Sequence, residues 1–192
     1  MIIKNKNELQ NKCLTTSIEE GEKIGVQLIH ELRQSENGIG LAANQIGINK
    51  RVCVINVKNP LVLINPKIVE KSEEKFIFPE GCLSFPNDKI RTQRHVSIVV
   101  EADNHDNKIS FSAKSEDIND AFECVCVQHE IDHLDGIIMF DREFKNIPIK
   151  RENKKIGRNE KIVIHHPNGE IHTIKYKKFD KYKEMGWLLS EV

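Results

Sequence analysis

Gln128-His129-Glu130-Ile131-Asp132-His133-Leu134-Asp135-Gly136 carries the pattern H-E-x-x-H, which sets the expectations for the rest of the chain. Residues four apart on an α-helix lie one above the other, so His129 and His133 can offer two imidazole nitrogens to a single metal ion. Glu130 then stands beside that metal and not on it, where a carboxylate can take a proton from an attacking water. Upstream, Ala121, Phe122, Val125, Cys126 and His129 recur at helical spacing, and Gly136 falls where a C-terminal cap belongs. The stretch is therefore expected to be helical. Its bland alternative is a core helix that carries two histidines by chance, in a chain that holds eight.

Two histidines leave an open catalytic site one protein ligand short, because such sites usually combine three protein ligands with a water. In one long protease form of the motif a third histidine follows x-x-G-x-x; Gly136 fits, but Met139 stands at the ligand position. A glutamate roughly twenty residues downstream is the other protease solution. Glu152 is near that distance, yet it sits in Lys150-Arg151-Glu152-Asn153-Lys154-Lys155, which has the composition of a solvated turn. The better candidate lies upstream, in Phe78-Pro79-Glu80-Gly81-Cys82-Leu83-Ser84-Phe85-Pro86. A cysteine flanked by glycine and framed by prolines is expected on a constrained loop or strand end that aims a thiolate at a metal. Cys124 and Cys126, two apart on the helix, point in nearly opposite directions. Cys126 is expected beside His129, and Cys124 elsewhere in the packing.

The 192 residues are 39% hydrophobic and 30% charged, which fits one soluble domain with room for an appendage. No run approaches the roughly 18 apolar residues that span a bilayer, and Met1 to Gln10 is too polar for a signal peptide. These features predict a cytoplasmic protein with no membrane partner. Five cysteines without regular spacing predict reduced thiols and argue against a disulfide framework. Net charge is zero but unevenly spread: Lys145 to Lys183 holds twelve Lys and Arg against four acids, a net +8. Such a tail can contact nucleic acid or another polyanion, or it can be a lysine-covered surface hairpin.

Ser17, with Glu20 three residues on, has the form of a capping box opening a helix whose buried face is Ile24, Leu28 and Leu32. The small-residue stretch Gly38-Ile39-Gly40-Leu41-Ala42-Ala43-Asn44-Gln45-Ile46-Gly47 follows. It lacks the third glycine of a dinucleotide loop and the Lys-Ser/Thr of a phosphate loop. Its glycines suit a close approach of two backbones, as when an extended peptide docks on an edge. Gln45 can supply a side-chain N–H to a developing oxyanion. Strands are predicted over 51–57, 61–64, 67–74, 96–102 and 109–114, the last two joined by a turn over 103–107. Ile162 to His166 and Ile171 to Tyr176 flank Pro167-Asn168-Gly169-Glu170, whose Asn-Gly predicts a hairpin. Trp187, Leu188 and Leu189 are expected to pack back on the body.

Three of these segments together resemble the peptide deformylase family. Gly38 to Gln45 is similar to its first motif, Glu80-Gly81-Cys82-Leu83-Ser84 to its second, and Gln128 to Leu134 to its third, in order and at family-like separations. The resemblance spans residues 18 to 145; the opening, Met1 to Ser17, lacks the proline-led segment of bacterial members. It implies an α+β fold with antiparallel sheets around a central helix that carries H-E-x-x-H. Residues 1–145 would form a metal-dependent deformylase catalytic domain, and 146–192 a basic C-terminal appendage with the β-hairpin.

The resemblance further implies that Cys82, His129 and His133 hold the metal and that Glu130 is the general acid/base. Gln45 and the backbone N–H of Leu83 would form the oxyanion site. Ile39, Gly40 and Gly81 would hold the peptide as an added strand, while Val125 and Cys126 would help form the pocket for the methionine side chain. The implied reaction is hydrolysis of the N-formyl group of formyl-Met nascent peptides, releasing formate. Two imidazoles and a thiolate suit Fe²⁺ or Zn²⁺; the resemblance implies Fe²⁺ as the physiological ion, with Zn²⁺, Ni²⁺ or Co²⁺ as alternative occupants. Two other readings of the same residues are an H-E-x-x-H endopeptidase using Glu152 and a non-catalytic, metal-dependent peptide-binding module. Contact of the basic tail with the ribosome is a further expectation, since formylated chains emerge from a surface rich in polyanionic RNA.

Overall fold

The computed structural model describes residues 2–35, 37–145, 157–166, 170–185 and 187–189. Two units, Met1–Lys145 and Asn146–Val192, are each described by themselves. In the first, a short helix α1 (Lys6–Leu9) precedes α2 (Ile18–Arg33). α2 begins at its predicted cap, where the Ser17 hydroxyl accepts the N–H of Glu20 at 3.2 Å. The reciprocal half of the box is not made, because the Glu20 carboxylate turns instead to the Thr16 hydroxyl and to Lys50. Ile24, Leu28 and Leu32 are buried, as their spacing requires.

They pack on an antiparallel sheet of order β1-β2-β3, formed by β1 (Gly40–Ala42), β2 (Val52–Ile55) and β3 (Leu61–Ile64). β4 (Lys67–Lys71), β5 (Lys75–Cys82), β6 (Phe85–His95), β7 (Ser97–Glu101) and β8 (Ile109–Ser112) follow. β4, β7 and β8 make a second antiparallel sheet, and β7 and β8 are joined across the predicted turn. The helix of the H-E-x-x-H motif is α3 (Ile118–Leu134), capped by Asp117, whose carboxylate accepts the N–H of Asn119 at 2.9 Å. α3 and α2 both pack on β2, so all four residues of that strand are buried and it reads as an unbroken apolar run.

Residues 75–95 depart from the sequence reading. Phe78 to Pro86, expected as a constrained loop or strand end, belongs to a long hairpin of β5 and β6 whose strands the sequence reading did not predict, with Cys82 at the end of β5 and a register shift between Gly81 and Cys82. Pro79 pairs opposite Arg91 in this two-stranded ribbon, and its prolines and mostly exposed charged residues hide the strand period. The irregularity ends the regular ladder at Cys82, whose side chain is buried.

α3 stops at Gly136, which has a left-handed φ of 74°. A Cβ there would stand 2.5 Å from the Gln10 carbonyl oxygen, so the N-terminal segment presses directly on the end of the motif helix. The left-handed backbone alone costs a side-chain-bearing residue about 1–2 kcal/mol. Gly136→Ala is therefore expected to lower the melting temperature by several degrees. An unchanged melting curve would show that this contact carries no weight.

In the second unit β9 (Lys161–His165) pairs antiparallel with β10 (Ile171–Lys175) and β11 (Leu188–Leu189), beside α4 (Phe179–Glu184). The hairpin strands stand where the sequence puts them; 167–169, at their turn, lie outside the described residues. Trp187 is buried with Ile162 and Ile164 of its own unit. The chain is thus α+β, with mixed helices and antiparallel sheets. Among the described residues no helix is long and apolar enough to cross a membrane.

Candidate metal centre

α3 presents His129 and His133 on one face, their ring centroids 4.9 Å apart. The end of β5 brings in Cys82, whose Sγ lies 3.3 Å from His133 Nε2. One donor atom from each of these three buried residues falls within 4.8 Å of the others. A thiol and two imidazoles at that spacing fit one tetrahedral divalent ion and leave its fourth position open. Glu152, the rival ligand, lies outside the described residues.

His129 is held from behind. Its Nδ1 donates to Glu80 Oε2 at 2.7 Å, which leaves Nε2 as the nitrogen for a metal. Glu80 in turn accepts from Arg94 Nη2 at 2.9 Å and from the Thr92 hydroxyl. Arg94 also bridges to Asp132, which accepts from Arg142 at 2.8 Å. Glu80, Thr92 and Arg94 are all buried, so this is a charge network removed from water. Burial works to raise the Glu80 carboxyl, but Arg94 and then His129 overcome it and hold the pKa at about 2. Burial likewise opposes protonation of His129, and hydrogen bonds to Cys82 and Glu80 overcome it. Burial and the neighbouring His129 push His133 down.

Because the folded Glu80 is more acidic than its ordinary 4.5, its contribution to stability is complete above that value and is lost as pH falls toward about 2. The amount is on the order of 3 kcal/mol. Glu80→Gln is expected to flatten the acid limb of a stability profile between these pH values and to weaken metal binding about 10–100-fold. Thermal melts across that range test it; a wild-type limb no steeper than that of the variant would sink the assignment.

Gln45 lies in a single 3₁₀ turn, Ala43–Ile46, directly after β1. Its Oε1 accepts the Ala42 N–H at 2.8 Å, which turns Nε2 toward the centre. There Nε2 donates to Ser84 Oγ at 3.2 Å and to Cys82 Sγ at 3.4 Å. Leu83 and Ser84 form the two-residue turn between β5 and β6. Glu130 is buried, and its Oε2 has no partner among the described residues. Burial pushes its carboxyl up to about 7, with His129 pulling down and Glu80 pushing up. That is a useful value for moving a proton near neutrality.

β1 passes close beside this carboxylate. A Cβ on Gly40 would lie 2.5 Å from Glu130 Oε1 and 2.5 Å from Cys126 Sγ, so a side chain there would displace both. Cys126 Sγ donates to the Ile39 carbonyl at 3.4 Å. Val125 is buried on the same helix, whereas Ile39, just before β1, and Gly81, near the end of β5, are exposed. Cys124 faces the carbonyls of His95 and Val96 instead. Reading the sequence assigned no role to Glu80, Ser84, Thr92, Arg94 or Asp132. Glu80, Ser84 and Asp132 stand inside the quoted motifs, which was the available signal; nothing local links them to Arg94 near the end of β6.

The family model described as Polypeptide deformylase matches residues 2–152, so the match includes the N-terminal segment that the motifs leave out. A peptide deformylase of Desulforudis audaxviator is 42% identical over 124 residues, 63% of this chain and 76% of the relative. A crystal structure of a variant of Arabidopsis thaliana peptide deformylase 1B superposes with a TM-score of 0.67 at 29% identity, covering 76% of this chain and 81% of that one. A class I type b peptide deformylase of Acinetobacter baumannii, solved with Met-Ala-Ser bound, gives a TM-score of 0.64 at 26% identity over 74% and 96% of the two chains.

Proposed function

The chain belongs to the peptide deformylase family, metal-dependent hydrolases that remove the N-formyl group from nascent polypeptides, and from that premise we propose how its own residues divide the work. Cys82, His129 and His133 would hold one divalent ion, which when bound supplies a Lewis acid for the formyl carbonyl and acidifies the attacking water. Fe²⁺ is the physiological ion in this reading, with Zn²⁺, Ni²⁺ and Co²⁺ as substitutes; the mixed thiolate and imidazole set supports a borderline metal. α3 is the central helix around which the antiparallel sheets are arranged.

Glu130 takes the proton from the attacking water and returns it to the leaving amine. Gln45 Nε2 and the Leu83 N–H receive the charge that develops on the formyl oxygen. Ile39, Gly40 and Gly81 pair with the peptide backbone, and Val125 and Cys126 wall the methionine pocket. A formyl group is the smallest acyl group, so a tight site admits it and blocks larger ones. One observation carries the reading: a thiol and two imidazoles converge beside a buried carboxyl whose Oε2 has no hydrogen-bond partner among the described residues.

Formate release from formyl-Met-Ala-Ser tests it, a peptide chosen because Met-Ala-Ser occupies the Acinetobacter baumannii relative. Formate in equal amount to free N-termini is expected. Internal cleavage without formate would identify an endopeptidase, and metal-dependent binding without turnover a binding module.

The second unit contacts the ribosome in the cytoplasm, on this reading through its charge. The net +8 over Lys145 to Lys183 becomes +5 for residues 146–192, because Lys145 falls outside and Glu184 and Glu191 fall inside. Each phosphate neutralised steepens the salt dependence by about one power. Co-sedimentation with ribosomes should therefore fall steeply with salt for the full chain and vanish for a chain ending at residue 145, with cleavage of the short peptide unchanged. Co-sedimentation that survives the truncation would overturn this role.

A further inference from the structure

Three buried side-chain atoms lack a hydrogen-bond partner among the described residues: Glu130 Oε2, Asn44 Oδ1 and His133 Nδ1. The proton-carrying role proposed for Glu130 accounts for the first. The other two remain, and they belong to residues already bonded to each other. Asn44 Nδ2 donates to the main-chain carbonyl of His133 at 2.7 Å and to that of Leu9 at 3.4 Å. Two carbonyl acceptors at one end of the carboxamide establish which end is the NH₂. Its oxygen is therefore an acceptor held in the interior with nothing to accept.

His133 is the complementary case. Its Nε2 faces Cys82 Sγ at 3.3 Å, so Nδ1 is the nitrogen that carries the proton when Nε2 serves a metal. That N–H is a buried donor with nothing to donate to. For His129 the equivalent nitrogen is anchored on Glu80 at 2.7 Å. The two imidazoles are thus supported unequally by the groups described so far, although buried polar groups in native proteins are nearly always paired.

Resting on the proposed ligand set, we propose that Asn44 is the positioning residue of His133. Its NH₂ grips the main chain of the ligand, and its carbonyl oxygen takes the Nδ1–H of the ring through one buried water, as polar interiors commonly arrange. The neighbouring residue gives this position its leverage. Gln45 reaches Cys82 from the same short turn, so one turn sets the thiol and the second imidazole relative to each other. The N-terminal segment secures both sides, since the Ile3 N–H donates to the Gln45 carbonyl at 2.8 Å and the Cys13 N–H to that of Leu134 at 2.9 Å.

The test loads the full chain with Co²⁺ and follows both its visible absorption and the rate of its transfer to a chelator. Asn44→Leu keeps the volume and removes both polar ends; Asn44→Ser keeps one small hydroxyl. Asn44→Leu is expected to release the ion about 10–100-fold faster than the unaltered protein, with displaced absorption bands, and Asn44→Ser to fall between them. Ile98→Ala, a cavity at a buried position of β7 that makes none of these hydrogen bonds, is the control for general loosening. It should melt lower while keeping the spectrum and the release rate. If Asn44→Leu does not fold, Asn44→Ser alone decides. Release and spectrum unchanged in the Asn44 variants would overturn the proposal, and so would an Ile98→Ala protein that loses metal as readily at the same drop in melting temperature. A Cys82→Ala protein measured alongside separates the two levels. If it too holds its metal, the ligand set is wrong; if it alone loses metal, only the role of Asn44 is.

Discussion

Cys82→Ala is expected to purify with little bound metal and to release no measurable formate, while Glu152→Ala keeps both. The side chain of Cys82 is the one thiol whose Sγ falls within 4.8 Å of both histidine donors in the described metal-binding group. Without it two imidazoles remain, which cannot hold a divalent ion against water as three protein ligands do. Glu152 stands in a run of lysines and asparagine whose composition gives no reason for it to reach the centre. Metal stoichiometry of the two purified variants is the deciding measurement. Metal retained by Cys82→Ala, or lost by Glu152→Ala, would transfer the third ligand to the other residue and with it favour the endopeptidase reading.

Glu130→Gln should retain the metal and lose about 10² to 10⁴ in turnover, the usual contribution of a positioned acid/base group. The substitution preserves shape in a site with no spare room, because Gly40 already brings β1 against the carboxylate. An amide, however, cannot take a proton from water. The pH profile gives a second readout. Burial raises this carboxyl to about 7, and a base must be ionised to act, so turnover per encounter should rise through about 7 and level above it. The variant should lack that limb. A variant with near-normal turnover, or with the same limb, would remove Glu130 from the role.

Much of the site was legible because its signals are local. His129 and His133 repeat at one helical turn, and α3 is a helix across both. Ser17 caps α2 through its own hydroxyl, and β7 pairs with β8 across the short turn that separates them. The hairpin of β5 and β6 escaped the same treatment. Its strands hold Pro79, Gly81, Pro86 and a run of charged residues, and in a ribbon so widely exposed no hydrophobic alternation is required to pay for burial. Cys82 was therefore placed correctly, as a constrained position on a loop or strand end, but the hairpin whose first strand it ends was not visible in the sequence.

By itself the sequence determined which chemical groups exist and the order in which they come: two imidazoles and a carboxylate on one helix, a thiol between glycine and leucine, a carboxamide after a run of small residues. These follow from backbone periodicity and side-chain chemistry, which neighbours in the chain already define. Only the tertiary structure decided how those groups face one another. The bond from His129 to Glu80 spans 49 positions, the approach of Cys82 to His133 spans 51, and the hold of Asn44 on His133 spans 89. The tautomer of each ring, the acidity of Glu80 and the raised carboxyl of Glu130 all depend on such contacts, because burial and neighbouring charge arise from packing and leave no local trace in the chain.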